Sequence, residues 1–374
     1  MENPEKIEKI AYSTDASQIK GEARKIIFPK NVLNIVNVLR TETNIVIRGA
    51  GTGLVGGAVP LNSLVLDLSK MNKILEIDKI RNTVYVEAGC ILDDLNYELS
   101  KQGLEFPVQP SSSWVCTIGG MIATNAVGAR ATRYGRTSDW VKELEVITGN
   151  GEIHKVKPLG FSDFCGMEGI TGIITKAKLK LIDKPTRTAS LFKFQGLGEL
   201  IEKVRALKSM KEVSMLEFLD KASSKAIGWE EAYYLLVEFE SEQGTFKGEK
   251  YEKILKERDK IYPELAGKGY SSIEDPKIQL PKLPDLAMWL EEKQIPFFGH
   301  IGEGIIHPCL NAQQTKYLDE LMRIVKKLGG QITGEHGIGL KKKKFLEENE
   351  KQLITRMKKR HDPLCKLNSG KVID

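Results

Sequence analysis

The run Arg48-Gly49-Ala50-Gly51-Thr52-Gly53-Leu54-Val55-Gly56-Gly57 follows a short apolar stretch, Asn44-Ile45-Val46-Ile47, and restricts the fold more than any other part of the chain. Within it Gly51, Gly53 and Gly56 match the G-x-G-x-x-G spacing of a nicotinamide-binding turn. That turn needs a helix opening at its third glycine, because the helix N-terminus carries the pyrophosphate. Here Pro60 arrives four residues after Gly56 and the strand-like residues 64–68 follow, so there is no room for the helix. Two readings remain for the loop alone. It is either an anion nest, in which successive backbone N–H groups converge and glycine supplies positive φ, or a glycine-rich structural turn.

Further along come Thr117-Ile118-Gly119-Gly120-Met121-Ile122-Ala123-Thr124-Asn125-Ala126-Val127-Gly128 and Glu168-Gly169-Ile170-Thr171-Gly172-Ile173-Ile174-Thr175. Separate small-residue segments of this kind imply one extended ligand lying against bare backbone. In order and spacing the motifs resemble the FAD-linked oxidases of the vanillyl-alcohol oxidase superfamily, in particular the D-lactate dehydrogenase and glycolate oxidase D-subunit group. The resemblance runs from about residue 26 to the end, where Leu367-Asn368-Ser369-Gly370-Lys371 stands for the family's Asn-Pro-Gly-Lys. It implies an α+β fold: a two-subdomain FAD-binding domain over residues 1–187, to which residues 346–374 return, and a shortened α+β substrate cap with an antiparallel sheet over residues 188–345.

By the same resemblance Arg48, Gly49, Ala50, Gly51, Thr52, Gly53, Gly56 and Gly57 would hold the pyrophosphate. Pro110, Ser111, Ser112, Thr117, Ile118, Gly119 and Gly120 would flank the flavin. Ala123, Thr124, Asn125, Gly128, Glu168, Gly169, Gly172, Ile173 and Ile174 would complete the contacts, with Asn368 returning the C-terminus to the flavin. Ser369 replaces the family proline, which gives up rigidity but leaves the asparagine. No histidine precedes His154, so noncovalent FAD is expected.

Three of the five histidines lie close in sequence: His300 and His307 bracket Ile301-Gly302-Glu303-Gly304-Ile305-Ile306, and His336 sits in Gly334-Glu335-His336-Gly337. The glycines invite a hairpin-like turn that would bring two imidazoles together, and a carboxylate would complete a three-ligand site with open positions. Spacing alone leaves structural histidines as the rival reading. The family resemblance implies that His300, His307 and Glu335 bind a divalent ion such as zinc or manganese, and that His336 is the general base. Glu303 stands where the family has aspartate, and Ile305 where it has asparagine. Arg258 lies where the family's Trp-x-x-Arg holds the substrate carboxylate, although Leu255 replaces the tryptophan; a solvent-exposed helix arginine is the alternative. His154, beside a turn, and His361, in a basic helix, read as structural or exposed.

Together these features predict hydride transfer from a small 2-hydroxy acid (D-lactate, glycolate or similar) to FAD. No thiolate cluster is present, so electrons would pass to a separate iron–sulfur or flavoprotein subunit, to a quinone or to oxygen. The rivals are a flavin-carrying electron-transfer subunit without its own substrate site, and an FAD-dependent reductase of the same fold. The cap is short for the family, so pocket walls are either absent or supplied by another subunit of an oligomer. The five cysteines form no C-x-x-C pair and read as small buried hydrophobes in a reducing compartment. Residues 1–21 lack an apolar h-region, and no apolar run approaches the roughly 18 residues of a spanning helix, so a cytoplasmic protein without a transmembrane segment is expected. The net charge of +6 comes with interspersed acids and no nucleic-acid module. Its densest run, residues 341–344, reads as a solvated helix face answered by Glu347, Glu348 and Glu350.

Overall fold

Leu64, Val65 and Leu66 make the continuous apolar run that a strand buried on both faces requires. In the computed structural model, which describes residues 4–374, they lie in the middle strand of a parallel sheet. There β1 (Glu22–Ile27) and β2 (Ile45–Arg48) flank β3 (Leu61–Asp67), with Ile45 opposite Leu64. Parallel neighbours need a crossover. The helix Val32–Thr41 lies between β1 and β2 in sequence and is capped by Asn31, whose side chain accepts from the Asn34 N–H; its Ile35, Val38 and Leu39 are buried. Between β2 and β3 the glycine loop contains no helix.

The remaining strands of this unit are β4 (Ile74–Asp78), β5 (Thr83–Glu87), β6 (Leu104–Glu105), β7 (Val141–Ile147), β8 (Ile153–Val156), β9 (Ile173–Lys180) and β10 (Ile182–Asp183). An antiparallel sheet runs β4-β5-β9-β7-β8, and β6 pairs with β10. Ile173 and Ile174, expected at the cofactor, open the central strand β9, and their side chains join the core with Val84, Val86 and Leu144. Ile118, also expected at the cofactor, packs there too, beside Met121 and Ile122 of its own helix, Ile118–Thr124. Burial of each such side chain contributes about 1.5–3 kcal/mol.

The second unit holds one antiparallel sheet made of β11 (Thr188–Phe194), β12 (Val213–Leu219), β13 (Tyr233–Phe239), β14 (Ser272–Ile273), β15 (Phe297–His300) and β16 (His307–Leu310), in the order β11-β13-β12-β15-β16-β14. Its helices include Leu197–Lys208, Glu249–Asp259 and Leu318–Lys327, each carrying Lys and Glu.

The unit boundaries differ from the sequence expectation. The first unit comprises Met1–Ala126, Arg136–Lys184 and His336–Asp374, and the second Val127–Gly135 and Pro185–Glu335. The chain thus returns at residue 336 rather than 346. Gly128, expected with the cofactor contacts, belongs to the second unit. Arg130 holds that short excursion through an ion pair with Glu238 at 2.8 Å, and the Tyr134 hydroxyl donates to Glu240. These partners lie about a hundred residues away, beyond the reach of local pattern. The expected solvated face at residues 341–344 is also corrected: Lys343–Phe345 is a single turn of 3-10 helix and Lys342 is fully buried. Among the described residues no helix is long and apolar enough to cross a membrane.

Candidate active site and metal centre

In the first unit the glycine loop is shaped from behind. Arg48 donates through Nη1 to the carbonyls of Thr14 (2.8 Å) and Ala58 (3.3 Å), and its guanidinium lies over the Tyr12 ring. Asp15 accepts from the Ala58 N–H, and the Ala16 N–H donates to the Gly51 carbonyl. Residues 12–16 therefore buttress both ends of the loop. Sequence reasoning missed them; the one available signal was the turn-forming Asp15-Ala16-Ser17.

Gly51 and Gly56 have φ of 71° and 83°, the positive values that the anion-nest reading needs. A Cβ on Gly49 would overlap the Thr117 hydroxyl, so the first and second small-residue segments touch directly. Thr117 in turn caps the helix Ile118–Thr124 by accepting from the Gly120 N–H. Next to Gly53 lies open space, which leaves the loop's backbone accessible.

Several side chains expected at the cofactor already hold backbone. Asn125 accepts from the Ser138 N–H, and Thr124 donates to the Gly120 carbonyl. Asn368 accepts from the Ile47 N–H and donates to the Glu168 carbonyl, tying the C-terminus to β2. Gly172 packs against Val146 and Phe164, and Gly169, with φ 74°, approaches the Asn368 amide. Ser111 is exposed, while Pro110 and Ser112 accept from the N–H groups of Ser113 and Cys116.

Glu168 matters most for the geometry. Its buried carboxylate accepts from the backbone N–H of Ile338 (2.6 Å) and Gly339 (3.0 Å). Leu340 and Lys341 donate to the Val55 carbonyl of the glycine loop, and Lys371 donates to the Gly57 carbonyl at 2.8 Å. The segment that begins at the half-buried His336 is thereby tethered to the glycine loop.

Burial pushes the Glu168 carboxyl up to about 7, against the two N–H groups that favour its charge. A carboxyl raised in the fold stabilises it fully below the unfolded value near 4.5, and that contribution is lost as pH rises through about 7. Glu168→Gln keeps an oxygen for both N–H groups but cannot ionise. Its stability relative to the parent should rise by about 2–3 kcal/mol between those pH values, read by calorimetry. Parallel pH profiles in the two proteins would remove Glu168 as the source.

In the second unit β15 ends at His300 and β16 begins at His307, and Gly304 turns the chain between them with φ 71°. The two rings meet edge to face, with centroids 5.2 Å apart. Their Nε2 atoms lie 3.5 Å (His300) and 3.2 Å (His307) from Oε1 of Glu335, and the three ligand atoms fall within 4.8 Å of one another. Each residue is pinned from outside. His300 Nδ1 bonds Oε1 of the buried Glu217, and His307 Nδ1 donates to the Glu274 carbonyl at 3.0 Å. Oδ2 of Asp275 accepts from the backbone N–H groups of Gly334 and Glu335. A carbonyl can only accept, so His307 carries its proton on Nδ1 and leaves the Nε2 lone pair for a ligand. Burial opposes charge here, yet Glu217 and Glu335 outweigh it and push His300 up to about 10. The locus is therefore strongly favourable to a cation. Two imidazoles and a carboxylate with supported outer atoms are the donor set that zinc or manganese takes.

The two family departures have partners. Ile305 is buried against Val127 and Ala131, so an apolar contact takes the place of the asparagine's polar group. Glu303 pairs with Lys277 at 3.3 Å. Arg258 is not the exposed helix arginine of the alternative reading: its side chain is 11% exposed, with Nε and Nη2 at 3.0 and 2.7 Å from Oε2 of Glu217. Away from the site, His361 lies 2.7 Å from Asp163 and His154 is exposed. Cys90, Cys116 and Cys309 are buried as expected, whereas Cys365 is exposed.

Residues 23–157 match the model of an FAD binding domain, and residues 245–372 that of the C-terminal domain of FAD linked oxidases. The chain is 30% identical over 441 residues to the glycolate oxidase subunit GlcD of Bacillus subtilis, covering 97% of this chain and 92% of the relative. It is 31% identical to D-lactate dehydrogenase of Anaerostipes hadrus and 30% identical to D-2-hydroxyglutarate dehydrogenase of Xanthomonas citri, with 87% of this chain and 83% of the relative covered in both cases. An alignment of 441 positions on a 374-residue chain means that the first relative carries segments with no counterpart here.

Proposed function

The chain belongs to the FAD-linked oxidases of the vanillyl-alcohol oxidase superfamily, and from that premise we propose that it oxidises a small 2-hydroxy acid, passing the electrons to a separate acceptor. D-lactate, glycolate and D-2-hydroxyglutarate are the substrates to try, since the relatives are named for them. The observation that carries the reading is the adjacency of Glu335 and His336. Glu335 completes the ligand cluster, and His336 opens the segment that Glu168 and Val55 tie to the glycine loop.

FAD, when bound, would supply the acceptor for the hydride on C2 of the substrate, and a divalent ion would supply a Lewis acid for the 2-hydroxyl. The backbone of residues 49–57 binds the pyrophosphate of noncovalent FAD. His300 and His307, through Nε2, and Glu335, through its carboxylate, would hold the ion. His336 would take the hydroxyl proton on a ring nitrogen, a role open to a neutral imidazole. The acceptor is an iron–sulfur or flavoprotein subunit, or a quinone.

The test is the visible spectrum of the purified protein before and after anaerobic addition of each acid. An oxidised-flavin band that one acid bleaches is expected, with bleaching slowed by dialysis against a chelator and restored by zinc or manganese. A flavin band that no acid moves would favour an electron-carrying subunit instead. A folded, FAD-supplemented protein without flavin would overturn the proposal.

A further inference from the structure

We propose that Glu217 and Arg258 are a positioning pair for the ligand cluster: Glu217 locks the His300 ring with Nε2 toward His307 and Glu335, and Arg258 selects the oxygen that does so. The inference deepens the reading above and rests on that cluster binding a divalent ion.

Strand register starts the argument. β12 and β15 are antiparallel with Glu217 directly opposite His300, so the two side chains project from the same face as cross-strand neighbours. Every residue of β12 is buried, and Glu217 sits among Met215, Leu216, Phe218 and Leu219 at 1% exposure. A carboxylate in such a strand is costly unless paired, and a buried ion pair is often matched or bettered in stability by an apolar replacement. Stability is therefore a poor reason for the charge.

The division of its oxygens supplies a better one. Arg258 places both Nε and Nη2 on Oε2, which leaves Oε1 to His300 Nδ1. The ring can then offer only Nε2, the atom that faces Glu335 at 3.5 Å. Carboxylate support behind a ligating histidine orients the ring and raises its basicity, and losing it weakens metal binding about 10–100-fold. Arg258, whose Nε and Nη2 bond Glu217 and whose Nη1 bonds Asp259, acts here through Glu217.

Zinc affinity of the flavin-loaded protein, measured by competition with a chromophoric chelator, tests this without any turnover. Glu217→Gln, which keeps an acceptor oxygen, should bind zinc about 10–100-fold more weakly, and Glu217→Ala more weakly still, with far-ultraviolet circular dichroism unchanged. Should either variant fail to fold, 15N spectra of the parent protein decide. The zinc-induced shift must fall on Nε2 of His300 while Nδ1 keeps its proton, and a shift on Nδ1 overturns the pairing. A parent protein that binds no zinc removes the metal reading and this inference with it. If the parent binds zinc and both variants match it, the positioning role alone is wrong.

Discussion

His336→Ala will leave FAD and metal bound and slow bleaching of the flavin by its 2-hydroxy acid about 10²–10⁴-fold, the usual contribution of a positioned general base. That is about 3–5 kcal/mol of barrier. The cofactors should survive because the neighbours of His336 are held through their own backbone N–H groups. Ile338 and Gly339 donate to Glu168, and the Glu335 N–H donates to Asp275. Stopped-flow absorbance under anaerobic conditions checks the rate, and flavin and metal content check the rest. A protein that serves only as an electron carrier would keep its reduction by a partner in this variant. Unchanged bleaching by the acid would take the base role away from His336.

Gly304→Val is expected to destabilise the protein by about 3 kcal/mol or more and to abolish metal binding together with substrate-driven bleaching. At φ 71° a β-branched residue is strained, at a cost of about 1–3 kcal/mol. A Cβ there would also overlap the Ile278 carbonyl oxygen, and backbone cannot yield as a flexible side chain does. The Gly304 carbonyl itself accepts from the Ile278 N–H at 2.8 Å, so displacement breaks that bond as well. His300 and His307 lie four and three residues from this turn, and their rings separate if it opens. Denaturant melts and zinc content report the two effects. Gly198, whose Cβ would meet open space, is the control that should tolerate alanine.

What could be read directly was whatever depends on neighbours in sequence. Pro60 after Gly56 excluded a helix at the glycine loop, and positive φ at Gly51 and Gly56 is a demand that glycine announces. The turn between His300 and His307 was announced by its glycines, of which Gly304 has positive φ. Side-chain roles were less legible. Ile173 and Ile174 were placed at the cofactor by resemblance alone, and no local pattern showed that their side chains would be buried in β9.

By itself, then, the amino-acid sequence determined the family and the bare-backbone loop, because motif order and backbone freedom are local properties, while the three residues of the cluster were named through the family resemblance. Only the tertiary structure decided who stands behind them: Glu217 opposite His300 from 83 residues away, Glu168 clamping Ile338 from 170 away, and Lys342 buried in a run that looked solvated. The physical reason is that a charge survives burial only beside its partners, and strand register and chain return choose those partners at distances that no periodicity encodes.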